Sequence, residues 1–310
     1  MDVKAARKRN FDKKIASVFT NWELYLFLIP AVALTFCFKY IPIYGILIAF
    51  KDFSIAKGIW GSPWVGLDHF FRFFRTFQSK VVITNTFFLS FYNLIAGFPL
   101  PIILALIINS INSTRYKRIL QTVTYMPHFI SIVVIVSMVT LFFSPRGLFG
   151  IISMAFGKEP VNWLNFPEVF PHTYVWSGIW QSMGWGSIIY LAALSSVDPT
   201  LYEAATIDGA GKWKKIIHID IPSIAPTIII LLILRTGDIL SIGFEKAFLM
   251  QNSLNLSRSE VISTYVYKVG IQSTQYSFSS AVGLFNTLVN FVVLVVVNRI
   301  SRKVSETSLW

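Results

Sequence analysis

Apolar positions along this chain come in runs rather than in the alternation of a half-buried strand or the stripe of a surface helix. Six runs approach the roughly 20 residues that a helix needs to cross a hydrocarbon layer: 24–50, 81–109, 119–143, 174–195, 222–240 and 278–300. The pattern predicts an all-α integral membrane protein with about six transmembrane helices. Pro30 and Pro42 predict a kinked first span, with Lys39 reaching toward its outer end. That span is too long for a cleavable leader, and no small-residue cleavage site follows it. Between the first and second spans, residues 68–77 (DHFFRFFRTF) predict an amphipathic helix lying on the outer surface.

Composition agrees with lipid as the solvent. Of 310 residues, 54% are hydrophobic and 14% charged, where a soluble domain averages about 25% charged. Too little polar surface is available to cover a water-soluble core of this size. The single cysteine, Cys37, excludes an intrachain disulfide and reads as a small buried apolar residue.

Charge then sets direction. With both termini cytoplasmic, the inner segments carry fifteen Lys and Arg, and the longer outer loops carry ten. The inner set includes Lys4, Arg7, Lys8, Arg115, Lys117, Lys212, Lys214, Lys215, Arg299 and Arg302. A formal charge of +12 placed in such juxtamembrane clusters meets anionic membrane lipid. It forms no basic stripe with interleaved aromatics, so no nucleic acid is expected as a partner. The chain divides into a basic cytoplasmic segment (1–23), a transmembrane domain (24–300) and a short cytoplasmic tail (301–310). Outer loops 51–80, 144–173 and 241–277 are long enough to dock a partner. No internal repeat is present.

The inner loop between the fourth and fifth spans, 198–221, holds the informative chemistry. Asp198 and Pro199 predict a helix start, as N-cap and first helical residue. Asp208 and Gly209 predict its stop, with Gly209 left-handed. Residues 212–218 predict a second short helix, after which Pro222 opens the next span. Within this loop, Glu203-Ala204-Ala205 is followed after three residues by Gly209, and after nine more by Ile219-Asp220-Ile221-Pro222. Small Ala204 and Ala205 permit close approach by another surface, and Glu203 offers it a carboxylate.

That spacing resembles the EAA loop of binding-protein-dependent ATP-binding-cassette importer permeases. Ile221 stands where that pattern usually has Leu. The resemblance implies that Glu203, Ala204, Ala205, Asp208, Gly209, Ile219 and Pro222 shape coupling helices that seat in a groove on a separate ATPase. ATP and magnesium would then be bound by that partner, present in two copies, and no cofactor by this chain. No G-x-x-x-x-G-K-[ST] phosphate loop is present here. The resemblance further implies a second related permease, an extracellular sugar-binding lipoprotein and the plasma membrane of a bacterium. The form Glu203 to Ala210 resembles the carbohydrate-uptake branch. Trp64-Val65-Gly66-Leu67, Tyr125-Met126-Pro127, Gly243-Phe244-Glu245-Lys246 and Thr307-Ser308-Leu309-Trp310 resemble its subgroup for complex oligosaccharides such as aldouronate, pectin or alginate fragments.

Sugars are held by aromatic faces and planar hydrogen-bonding groups, and charges inside spans normally face a cavity or a partner. Arg235 and Asp238, three apart, predict an ion pair on one helix face. Trp180 and Gln181 fall at a depth comparable with Arg235 and Trp185 and Tyr190 deeper, at about 1.5 Å per residue. These six are the candidate substrate path, against the alternative that they are packing residues. Asn286 and Asn290 read as interhelical glue. Tyr125 and His128 read as helix capping or interfacial anchors, with an inner gate as the alternative. His172 and His218 read as surface residues short of any metal set. The rival functions are an ion-coupled secondary transporter, which repeats and mid-membrane acids would favour, and a membrane-embedded enzyme, for which no catalytic set is apparent.

Overall fold

The computed structural model describes residues 22–305, so the basic segment before Trp22 and the end of the tail lie outside the described residues. The expected cytoplasmic placement of both termini falls there. Two units divide at Gly66.

In the first unit, α1 (Trp22–Thr35) passes through Pro30 without a break. It widens into a π turn at Phe36–Tyr40 and tightens to a 3-10 helix over Ile41–Phe50, with Pro42 near the start of that segment. Change of helix type, rather than a stop at either proline, is how this run absorbs its missing donors. Its apolar side chains are mostly exposed, and so is Cys37, which sits on the outside of the helix rather than in a core. After it, Lys51 Nζ donates to the carbonyl of Ile59 at 2.8 Å, and Phe50 stacks on Trp64.

The second unit is a helical bundle. It runs through α2 (Asp68–Arg75), α3 (Phe77–Gly97), α4 (Pro99–Asn109), α5 (Thr114–Tyr125), α6 (Ile132–Phe143) and α7 (Leu148–Ala155). Next come α8 (Val169–Ser195), α9 (Pro199–Ile207), α10 (Ile221–Gly237), α11 (Phe244–Met250), α12 (Ile262–Tyr267) and α13 (Tyr276–Ser305). Over both units, five helical stretches are long and apolar enough to cross a membrane: Trp22–Phe50, Phe77–Asn109, Ile132–Ala155, Lys212–Gly237 and Tyr276–Lys303. The 27 residues of α8 span about 40 Å, ample for a bilayer core. Yet α8 is more polar than the other five. The reason is position: α8 packs against α3, α4, α5, α10 and α11, so protein rather than lipid surrounds much of it.

The expected third span, 119–143, is not one helix. It breaks into α5, a 3-10 turn at Met126–Phe129 and α6, whose N-cap Ser131 accepts from the amide of Val134. Pro127 removes a donor there, and the preceding residue is biased away from helix. Loose backbone at this depth is tolerated where protein covers it. Here α8 provides the cover. Gln181 Nε2 donates to the carbonyl of Ile130 at 2.9 Å, and Trp185 stacks on His128 with ring centroids 4.5 Å apart. A Cβ on Gly184 would lie 2.0 Å from the carbonyl oxygen of Thr124. Only glycine lets the two backbones approach so closely.

Residues 68–75 form the expected amphipathic helix, with Phe73 buried among Tyr265, Phe278 and Phe285 of α12 and α13. Segment 241–277 is packed rather than extended. Asn252 and Asn255 both donate to the carbonyl of Leu164, and Lys268 pairs with Glu260 at 2.8 Å. Asn290 is glue as expected: its Oδ1 accepts from the amide of Leu240 and its Nδ2 donates to Ser241.

Candidate functional site

The loop after α8 is built by local chemistry. Asp198 caps α9 by accepting from the amide of Thr200 at 2.9 Å, which holds its carboxyl below the usual carboxylate range. Pro199 occupies the first turn. At the other end Gly209 takes φ +70°, the amide of Gly209 donates to Thr206 and that of Ala210 to Ala205. This is the paired closure of a left-handed helix stop. The second short helix expected over 212–218 does not stand alone. Lys212–Lys215, the π turn Ile216–Asp220 and α10 form one continuous helix, so Pro222 lies inside it rather than opening it. The π turn Ile216–Asp220 directly before it is the wider stretch of helix that accommodates the proline ring and its missing donor.

Nothing on α9 is buried. Glu203 and Ala204 are exposed, Ala205 is half-buried, and Asp208 and Gly209 are exposed at the turn. On the same loop Ile207 and Trp213 stand 87% and 77% exposed. Half-buried Ile219 lines a crevice with Ala205, Ala210, Lys214 and Lys215. Sequence reasoning passed over Ile207 and Trp213, although both lie between motif anchors and neither fits a solvated turn.

Inside the bundle, Arg235 and Asp238 line one cavity of about 140 Å³ with Ser90, Asn93, Phe98 and Tyr174. The expected ion pair between them is not formed, because both side chains open onto this cavity and no contact within ion-pair distance joins them. Ser90 is buried and its Oγ has no hydrogen-bond partner. A second cavity of about 190 Å³ is lined by Gly97, Phe98, Pro101, Tyr190 and Arg235. Phe98 and Arg235 thus belong to both. Trp180, Gln181 and Trp185 line neither cavity: Gln181 clamps the helix break, Trp185 stacks on His128, and Trp180 is 43% exposed. Ser90 and Asn93 escaped sequence reasoning because they sit within an apolar run read only as a span. His172 and His218 are exposed as expected, and His172 Nδ1 lies 2.9 Å from Tyr92 Oη.

Residues 83–306 match the family described as binding-protein-dependent transport system inner membrane component. The chain belongs to that family. The permease is 43% identical to Protein LplB of Bacillus subtilis (strain 168), over 93% of this chain and 91% of that protein. It is 41% identical to the polygalacturonan/rhamnogalacturonan transport system permease protein YteP of the same strain, over 99% and 95% respectively. Its fold matches a bacterial ABC transporter involved in import of the acidic polysaccharide alginate, with TM-score 0.86, 38% identity, and 94% of this chain against 99% of that one. It matches equally a bacterial alginate ABC transporter in complex with alginate pentasaccharide-bound periplasmic protein, with TM-score 0.86, 38% identity, and 95% of this chain against 99% of that one.

The permease is therefore a multi-pass inner-membrane transport component of an ABC importer, and the ion-coupled alternative is displaced. The exposed loop 198–221 falls within the family match, as do both cavities' lining residues.

Proposed function

We propose that this permease forms half of the membrane path for an oligosaccharide, paired with a second, related permease. An extracellular binding protein would deliver the sugar, and two copies of a cytoplasmic ATPase carrying ATP and magnesium would drive it. The observation that carries this reading is the exposed loop 198–221, with its left-handed Gly209 stop and its uncovered Glu203, Ile207 and Trp213. A capped helix with no buried residue and a pair of bare apolar side chains fits a docking element. It then faces the cytoplasm, as the flanking Lys212, Lys214 and Lys215 favour. YteP's polygalacturonan/rhamnogalacturonan and the structural neighbour's alginate support an oligosaccharide as cargo. The cavity holding Arg235 and Asp238, and the exposed ring of Trp180, would face the sugar.

The test is Gly209→Val in the complete transporter in proteoliposomes. A β-branched side chain at φ +70° strains the turn, a conformation costing roughly 1–2 kcal/mol even for an ordinary residue. ATP-dependent sugar uptake should fall roughly tenfold or more while the chain still reaches the membrane. Uptake at the unsubstituted level would overturn the docking role of the loop.

A further inference from the structure

The docking role leaves one buried charged group unexplained. Asp220 closes the π turn ahead of α10 and is 3% exposed. Its Oδ1 accepts from the Tyr202 hydroxyl at 2.5 Å and from Asn109 Nδ2 at 3.4 Å. Tyr202 stands on α9 directly before Glu203, and Asn109 ends α4. One carboxylate oxygen therefore joins the exposed loop helix to the ends of two spans. Burying a carboxylate is costly unless hydrogen bonds hold it, and both of its partners here come from other elements.

The covalent route from α9 to α10 is compliant by comparison. It passes through Gly209 and Gly211, and a Cβ on either would meet nothing within 4 Å. No residue of α9 is buried and Tyr202 is half-buried, so a displacement of that helix has little apolar packing through which to pass. Burial and the bond to Asp220 push the Tyr202 hydroxyl up to about 12, so it remains a proton donor across the working range. A second polar contact, Lys215 Nζ to Thr206 Oγ1 at 2.7 Å, closes the same gap nearer the turn, but does not reach α4. The π turn at Ile216–Asp220 is itself a local widening of the helix, a feature that recurs at functional sites.

We propose that Asp220 is the positioning residue through which movement of α9 passes to α4 and α10, bypassing the Gly209 and Gly211 turn. This inference rests on the docking role of the loop. Its test measures sugar moved per ATP hydrolysed by the assembled transporter in proteoliposomes. Tyr202→Phe removes the donor with little change of shape and should lower that ratio roughly tenfold, the worth of one hydrogen bond to a charged group, while ATP hydrolysis and assembly persist. Asp220→Leu should do the same. Asp220→Asn retains an acceptor oxygen at the same place and should restore most of the ratio. An unchanged ratio in Tyr202→Phe, or hydrolysis and transport falling together, would overturn the proposal, because a merely structural bond leaves the ratio alone. Should Asp220→Leu fail to reach the membrane, Tyr202→Phe decides. Normal uptake by Gly209→Val would instead remove the docking role itself, so the two failures are distinguishable.

Discussion

Gln181 Nε2 donates to the backbone carbonyl of Ile130 at 2.9 Å, from the middle of α8 to the break between α5 and α6. That carbonyl has lost its helical partner because the chain turns at Met126–Phe129. Removing the donor leaves a polar backbone group uncovered where water is scarce. Gln181→Leu should therefore destabilise the detergent-purified protein by about 1–3 kcal/mol, lowering its melting temperature by several degrees. Thermal melts followed by tryptophan fluorescence read this directly. Lost transport with an unchanged melt would return Gln181 to the sugar path, where its depth alone had placed it.

Lys246 offers a pH signature. It is buried on α11, its Nζ donating to the carbonyl of Tyr174 at 2.7 Å and lying 4.8 Å from that residue's ring centroid, and no carboxylate among the described residues pairs with it. Burial lowers it to about 7 from the ordinary 10.5. Between those values the unfolded chain binds more protons at this site than the folded one, so its contribution to stability rises with pH across that window. The burden is fully present below about 7 and is relieved toward 10.5. Lys246→Met keeps the stem and removes the charge. The difference in melting temperature between Lys246→Met and the unsubstituted protein should be largest below pH 7 and shrink at alkaline pH. A difference that does not vary with pH would show that the site is not paying for a buried charge.

What was legible in the chain was what acts over short distances. Asp198, Pro199 and Gly209 each act within a few residues, so cap, first turn and stop could all be read before any tertiary contact was known. The same holds for helix 68–75 and for the run that became α8. The break within 119–143 had a local sign in Pro127, but its tolerance depends on Gln181 and Gly184, more than 50 residues away. Lys246 reads as a loop charge and turns out buried, because the segment that carries it packs on α8. Ser90 and Asn93 vanish into an apolar run, and Arg235 with Asp238 reads as a helix pair by spacing alone. Spacing gives a shared face; whether two charges meet or open onto a cavity depends on what the neighbouring helices leave between them.

The cavity gives the prediction with the most at stake. Arg235 and Asp238 face the same space as Asn93 and the unpartnered Ser90 Oγ, and Arg235 with Phe98 also borders the second cavity beside Tyr190. A sugar entering the first space would meet a guanidinium, a carboxylate, an amide and a hydroxyl, which is the polar set that orients hydroxylated ligands. Changing Arg235 alone leaves Asp238 as an uncompensated charge, so the informative variant replaces both with Ala. In proteoliposomes that double variant should raise the sugar concentration for half-maximal uptake roughly tenfold or more, while ATP hydrolysis continues. Trp180→Ala removes a half-exposed ring, and loss of a stacking anchor is worth about 2 kcal/mol or more. Its effect on uptake should match in direction. Comparing a uronate oligosaccharide with a neutral one of equal length then isolates Arg235: its single change to Ala should penalise the acidic sugar more. If the double variant takes up sugar normally, the two charges only support the bundle. A loss confined to Trp180→Ala would instead place the path along the exposed face of α8.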